Sequence, residues 1–100
     1  MPRLLVVDDS ESICWGIAEL ARDIGFQVDT ASSAEESLTL VAESKPDVIC
    51  LDVRLPGMDG LDAMAKLRPI VGDIPIIVMT AYGDLETAVR AVRNGAFDYV

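Results

Sequence analysis

Histidine is missing altogether, so no metal centre or general base in this chain rests on imidazole. Cysteine occurs only at Cys14 and Cys50, one in a helical pattern and one in an apolar run. Both read as small buried hydrophobes in a reducing compartment rather than as a disulfide or a thiolate metal site. Positive charge is scarce, with eight Lys and Arg against 17 Asp and Glu and a net charge of −9. The basic residues do not cluster, which argues against direct nucleic-acid binding, because phosphate contacts need grouped Lys and Arg. No apolar run approaches the roughly 20 residues of a membrane helix. The N-terminus enters a strand pattern within three residues, leaving no signal peptide. A cytoplasmic chain without membrane attachment is therefore expected. Repeats, linkers and low-complexity stretches are lacking too. Apolar residues are plentiful, at 51% of 100, enough for one domain over residues 1–100 with a core that needs no disulfide.

Three apolar runs punctuate the chain: Leu4 to Val7, Val48 to Leu51 and Ile76 to Met79. Continuous apolar runs suit strands covered on both faces. Phe26 to Thr30 alternates instead, as an edge strand does. Between them lie helical patterns. Ser10-Glu11 opens the first, with Ile13, Ile17, Leu20, Ala21 and Ile24 as its expected inner stripe and Gly25 as its left-handed stop. Ser33 to Glu36 is a capping-box pattern for a second helix to about Glu43. A third helix is expected over Asp59 to Val71, with Leu61, Met64, Ala65 and Leu67 inward and Pro69 bending or ending it early. Gly83-Asp84 opens a fourth that stops at Asn94-Gly95, and Phe97 to Val100 begins a fifth strand. Strand and helix in alternation imply right-handed crossovers and a doubly wound α/β sheet. Trp15 falls off its helix's stripe. It reads equally as an aromatic packed on its own helix or as a partner-docking residue.

Each apolar run ends on a polar group: Asp8-Asp9, Asp52 and Thr80. A parallel sheet gathers such strand ends at one edge, where open α/β sheets place ligands. Carboxylates about 4 Å apart repel by about 4 kcal/mol at an effective dielectric near 20. One of them therefore holds a proton, or a cation sits between them. Oxygen donors without His or Cys favour Mg²⁺, which keeps several waters and accepts a phosphoryl oxygen.

These residues, in this order, resemble the receiver domains of two-component response regulators over essentially the whole chain. Asp8-Asp9 matches the family's acidic pair, Asp52 its phosphoacceptor, Leu55-Pro56-Gly57-Met58-Asp59-Gly60 its following turn and Thr80-Ala81 its switch hydroxyl and small neighbour. Trp15, Met79 to Asp84 and Gly95 to Tyr99 look closest to the nitrogen-regulation type of transcriptional activator. The resemblance implies a flavodoxin-like five-stranded parallel sheet in the order 2-1-3-4-5. It implies direct metal ligation by Asp9 and Asp52, a water-mediated role for Asp8, and a further ligand in the backbone carbonyl of Arg54. Thr80 is expected to bond the phosphoryl group and Tyr99 to rotate inward, changing the surface of the fourth helix and fifth strand. Arg54 and Tyr82 are expected to shield the phosphoryl group from water.

The implied donor is the phosphohistidine of a sensor histidine kinase or phosphotransfer protein, and the implied output is control of transcription. Such a domain is a phosphoacceptor that at most assists its own phosphorylation and dephosphorylation, not an enzyme in the ordinary sense. The family's lysine would fall shortly after Tyr99, and the chain stops at Val100, before that lysine and the family's last helix. One sheet face is then expected to lie uncovered. Self-association as a homodimer, or lower stability than in a longer chain, should follow.

Rival readings meet the same residues. A phosphatase of the haloacid dehalogenase type needs an acid two residues after its nucleophile, where Arg54 stands. A flavodoxin-like phosphate binder would be repelled by Asp8-Asp9 without a metal. A receiver-like interaction module that no longer switches is the remaining alternative.

Overall fold

The computed structural model of the chain describes residues 2–79 and the strand pair Asp98–Tyr99. In order come β1 (Arg3–Val7), α1 (Glu11–Asp23), β2 (Gln27–Ala31), α2 (Ala34–Glu43), β3 (Val48–Asp52), α3 (Gly60–Val71), β4 (Ile76–Met79) and β5 (Asp98–Tyr99). The strands form one parallel sheet in the order β2-β1-β3-β4-β5, as expected. The fourth helix expected between Gly83 and Asn94 lies outside the described residues.

The apolar runs are central strands because both their faces are covered. From β1, Leu5 and Val7 join a large cluster with Ile49, Leu51, Ile76 and Val78 of the sheet and Leu61, Met64, Leu67 and Val71 of α3. Leu4 and Val6 join a smaller cluster with Cys14 and Ala21 of α1. Burying one Leu, Ile or Met side chain is worth about 1.5–3 kcal/mol, so the α3 side of the sheet carries most of the hydrophobic stabilisation. On the α1 side Val48, Cys50, Ile77 and Met79 are only half-buried. The β2 edge exposes Gln27, Asp29 and Thr30, and Arg3 pairs with Asp29 across it at 3.7 Å.

Helix α1 corrects the expected stripe. Its buried residues are Cys14, Ala18 and Ala21, with Ile17 half-buried against them. Ile13, Leu20 and Ile24 are exposed, Leu20 by 71%. Small side chains let a helix axis come close to β1, and the larger residues are left on the flank. In α3, Leu61, Met64 and Leu67 point inward as expected, but Ala63 is buried and Ala65 exposed. Pro69 does not end α3, which runs on to Val71. It sits in the last turn, where it removes a single donor, and Arg68 ties the end by donating to the carbonyls of Gly72 and Ile74 at 2.7 Å each.

The three helices among the described residues each begin on a side-chain cap: Ser10, Ser33 and Asp59 accept from the backbone N–H of Ile13, Glu36 and Asp62. The capping box of α2 is only half as expected, because the Glu36 carboxylate accepts from Ser32 Oγ at 3.4 Å. Ser33→Ala should cost about 1 kcal/mol. A lower urea midpoint with an unchanged slope would register it, and an unchanged midpoint would show that the cap contributes nothing.

Candidate functional site

Adjacent parallel strands end side by side. The register pairs Val7 with Leu51, so the residues that follow, Asp8 on one strand and Asp52 on the other, leave the sheet at the same edge. Asp8 is 5% exposed and held on several sides. Its N–H donates to Ala31 O at 3.0 Å, its Oδ1 accepts from Ser10 N at 2.9 Å, and its carbonyl accepts from Cys14 Sγ at 3.2 Å. Asp9 is exposed and Asp52 half-buried. The Oδ1 atom of Asp52 accepts from Arg54 N at 3.1 Å. Asp8, Asp9 and Asp52 each offer a carboxylate oxygen, and these oxygens lie within 4.8 Å of one another.

That geometry has an electrostatic consequence. Burial pushes the Asp52 carboxyl above the ordinary carboxylate range, and the charges of Asp8 and Asp9 push it the same way against the Arg54 N–H bond. A half-buried carboxylate beside two others is stabilised by a proton or by a cation. The donor set fits Mg²⁺: hard carboxylate oxygens from separate elements, with exposed Asp9 leaving water access to the site. Burial raises the Cys14 and Cys50 thiols too, away from the reactive thiolate, in keeping with their reading as packed hydrophobes.

The loop from β3 to α3 is pinned at both ends. Val53 N donates to Met79 O at 3.0 Å, and Gly60 N donates to Val53 O at 2.7 Å. Gly57 takes a φ of 81°, a left-handed turn suited to glycine.

The sequence matches a known family: the model of the response regulator receiver domain covers residues 4–100. The chain belongs to that family. As a receiver domain it is 41% identical over 98 residues to regulatory protein AtoC of Escherichia coli, covering 98% of this chain and 21% of the relative. It is 40% identical over 95 residues to the DNA-binding transcriptional regulator NtrC of Salmonella typhimurium, covering 95% and 20%. It thus spans about a fifth of the length of these curated relatives. Among solved structures, a response regulator from Burkholderia pseudomallei with a phosphorylated aspartic acid, a calcium ion and citrate superposes with a TM-score of 0.94. That protein is 33% identical, and the match covers 99% of this chain and 58% of the other. The receiver domain is therefore related to transcriptional regulators. Among its described residues, no helix is long and apolar enough to cross a membrane.

The expected site residues divide by position. Asp8, Asp9 and Asp52 come together. Arg54 is exposed two residues beyond Asp52 and contributes the N–H already described. Met79 pairs with Asp52, but Thr80 and Tyr82 lie outside the described residues. Tyr99 pairs through its backbone with Val78, and the rotation expected of its side chain also lies outside them. Trp15 is 68% exposed and lines an open groove of about 720 Å³ with Glu11, Ser12 and Gly16. The Cys14 thiol beneath Asp8 was not foreseeable as a partner of the site.

Proposed function

We propose that the chain is a phosphorylation-controlled switch in which Asp52 accepts a phosphoryl group. The convergence of three carboxylates within 4.8 Å at two strand ends carries this reading. Asp52 would attack phosphorus through a carboxylate oxygen. A P–O bond to Asp52 forms as the donor's P–N bond breaks, and the bonding pair leaves with the imidazole. Bound Mg²⁺ would supply the positive charge that lets an anionic phosphoryl group approach an acidic pocket. The residues to hold it are Asp8, Asp9 and Asp52, with the backbone carbonyl of Arg54. The hydrogen bond from Arg54 N holds the Asp52 carboxylate in place before reaction.

The donor in this reading is a sensor histidine kinase or phosphotransfer protein, and exposed Trp15 is a docking residue for it. Thr80 and Tyr99 would relay the change to the surface of the fourth helix and fifth strand, and so to an output that controls transcription. Residues 1–100 act as the receiver unit, in the cytoplasm and as a homodimer. The phosphatase reading lacks its second acid, since Arg54 stands in that place.

Incubation with a small acyl phosphate and Mg²⁺ should yield one acid-stable, base-labile phosphoryl adduct by intact mass. Asp52→Ala or a chelator should abolish it. An adduct that persists in Asp52→Ala, or forms equally well in chelator, would falsify the assignment. A folded wild type that takes no phosphate would favour the interaction module that does not switch.

A further inference from the structure

We propose that Gly60 is a positioning residue for Asp52: its missing side chain lets the start of α3 seat against the backbone that carries the carboxylate. The role builds on the proposed function, because it concerns the same carboxylate cluster.

Gly60 is the first residue of α3, directly after its cap Asp59. The usual reason for a glycine is a left-handed φ, and Gly25, Gly57 and Gly72 have one. Gly60 does not, so backbone freedom does not explain it. Space does. A Cβ at Gly60 would collide with the Asp52 carbonyl oxygen, and would lie 2.7 Å from Val53 Cα and 2.8 Å from the Asp52 carbonyl carbon. All three neighbours are backbone atoms of a strand end, which cannot swing aside as a side-chain tip can. The Gly60 N–H bond to Val53 O at 2.7 Å holds the helix to that same backbone. Gly16, in contrast, has nothing within 4 Å of its own added Cβ.

A methyl group at position 60 must therefore move α3 outward or push the Asp52–Val53 backbone. Either shift disturbs the Asp52 carboxylate and its bond from Arg54 N. Mg²⁺ tolerates such shifts badly, because it demands near-ideal octahedral geometry.

The test compares Gly60→Ala with Gly16→Ala by calorimetric Mg²⁺ titration, by the amide resonance of Arg54 in the metal-free protein, and by urea denaturation. Gly60→Ala should shift the Arg54 amide and weaken Mg²⁺ binding roughly 10–100-fold, the range for residues that orient metal ligands. Gly16→Ala should change neither. A merely structural role would lower the urea midpoint of Gly60→Ala while leaving its Arg54 amide and Mg²⁺ affinity at wild-type values, and that result overturns the proposal. Should Gly60→Ala be unfolded, the amide and the Mg²⁺ affinity are measured after refolding in trimethylamine N-oxide, where a shift in both supports the role and wild-type values overturn it. A wild type that binds no Mg²⁺ would refute the proposed function alone, and the Arg54 amide would still decide the role of Gly60.

Discussion

In chelator, Asp52→Asn should melt above the wild type, and in saturating Mg²⁺ the order should reverse. The folded state raises the Asp52 carboxyl because burial and two neighbouring acids disfavour its charge. A carboxyl with a raised folded-state value costs stability once pH climbs past its titration, and costs nothing where both states are protonated. Asparagine removes that charge and keeps the shape, so the variant should melt higher than the wild type at neutral pH. The gain should fade as pH falls through the carboxylate range. Mg²⁺ at a hundred times its Kd adds about 2.7 kcal/mol to a protein that binds it, or roughly 10–20 °C. The variant, short of one anionic ligand, should gain little. Scanning calorimetry in both buffers decides the matter. Identical melts for the two proteins in both would mean that the three acids neither repel nor share a cation.

Met64→Ala should be strongly destabilising. Met64 is fully buried beneath the sheet, and Met→Ala at such sites costs about 2–5 kcal/mol against a total stability of about 5–15 kcal/mol. Leu20→Ala should fall within about 0.5 kcal/mol of wild type, because that side chain is exposed. Helical spacing alone ranks the two residues as equal. Urea midpoints that came out equal would mean that α1 turns Leu20, not Ala18 and Ala21, toward β1.

That contrast marks what could be read from residue order. The central strands were legible because strands covered on both faces must be apolar throughout, and β2 because an edge strand alternates. The turn of α1 about its own axis was not. Periodicity weights large apolar residues such as Ile13 and Leu20, whereas the distance between helix and sheet selects the small ones. Ala63 and Ala65 illustrate the same limit in α3, since alanine suits either side of a helix. The acids of the site were legible because a carboxylate at the end of a buried strand is costly to desolvate, and its presence there points to a ligand. The bond from Cys14 to Asp8 and the clearance at Gly60 depend on approaches of a few ångströms, and no spacing rule encodes them.

The pairing of β1 with β3 joins chain segments about 44 residues apart. Neither segment alone holds three carboxylates. The loop between them, with α1, β2 and α2, must close before the cluster exists, and such distant contacts form slowly. A cation that needs all three oxygens thus engages the chain only after this closure. Its effect falls on the rate at which the domain opens and leaves the early steps of folding nearly untouched. A bound ion would work as a latch, set last and released first.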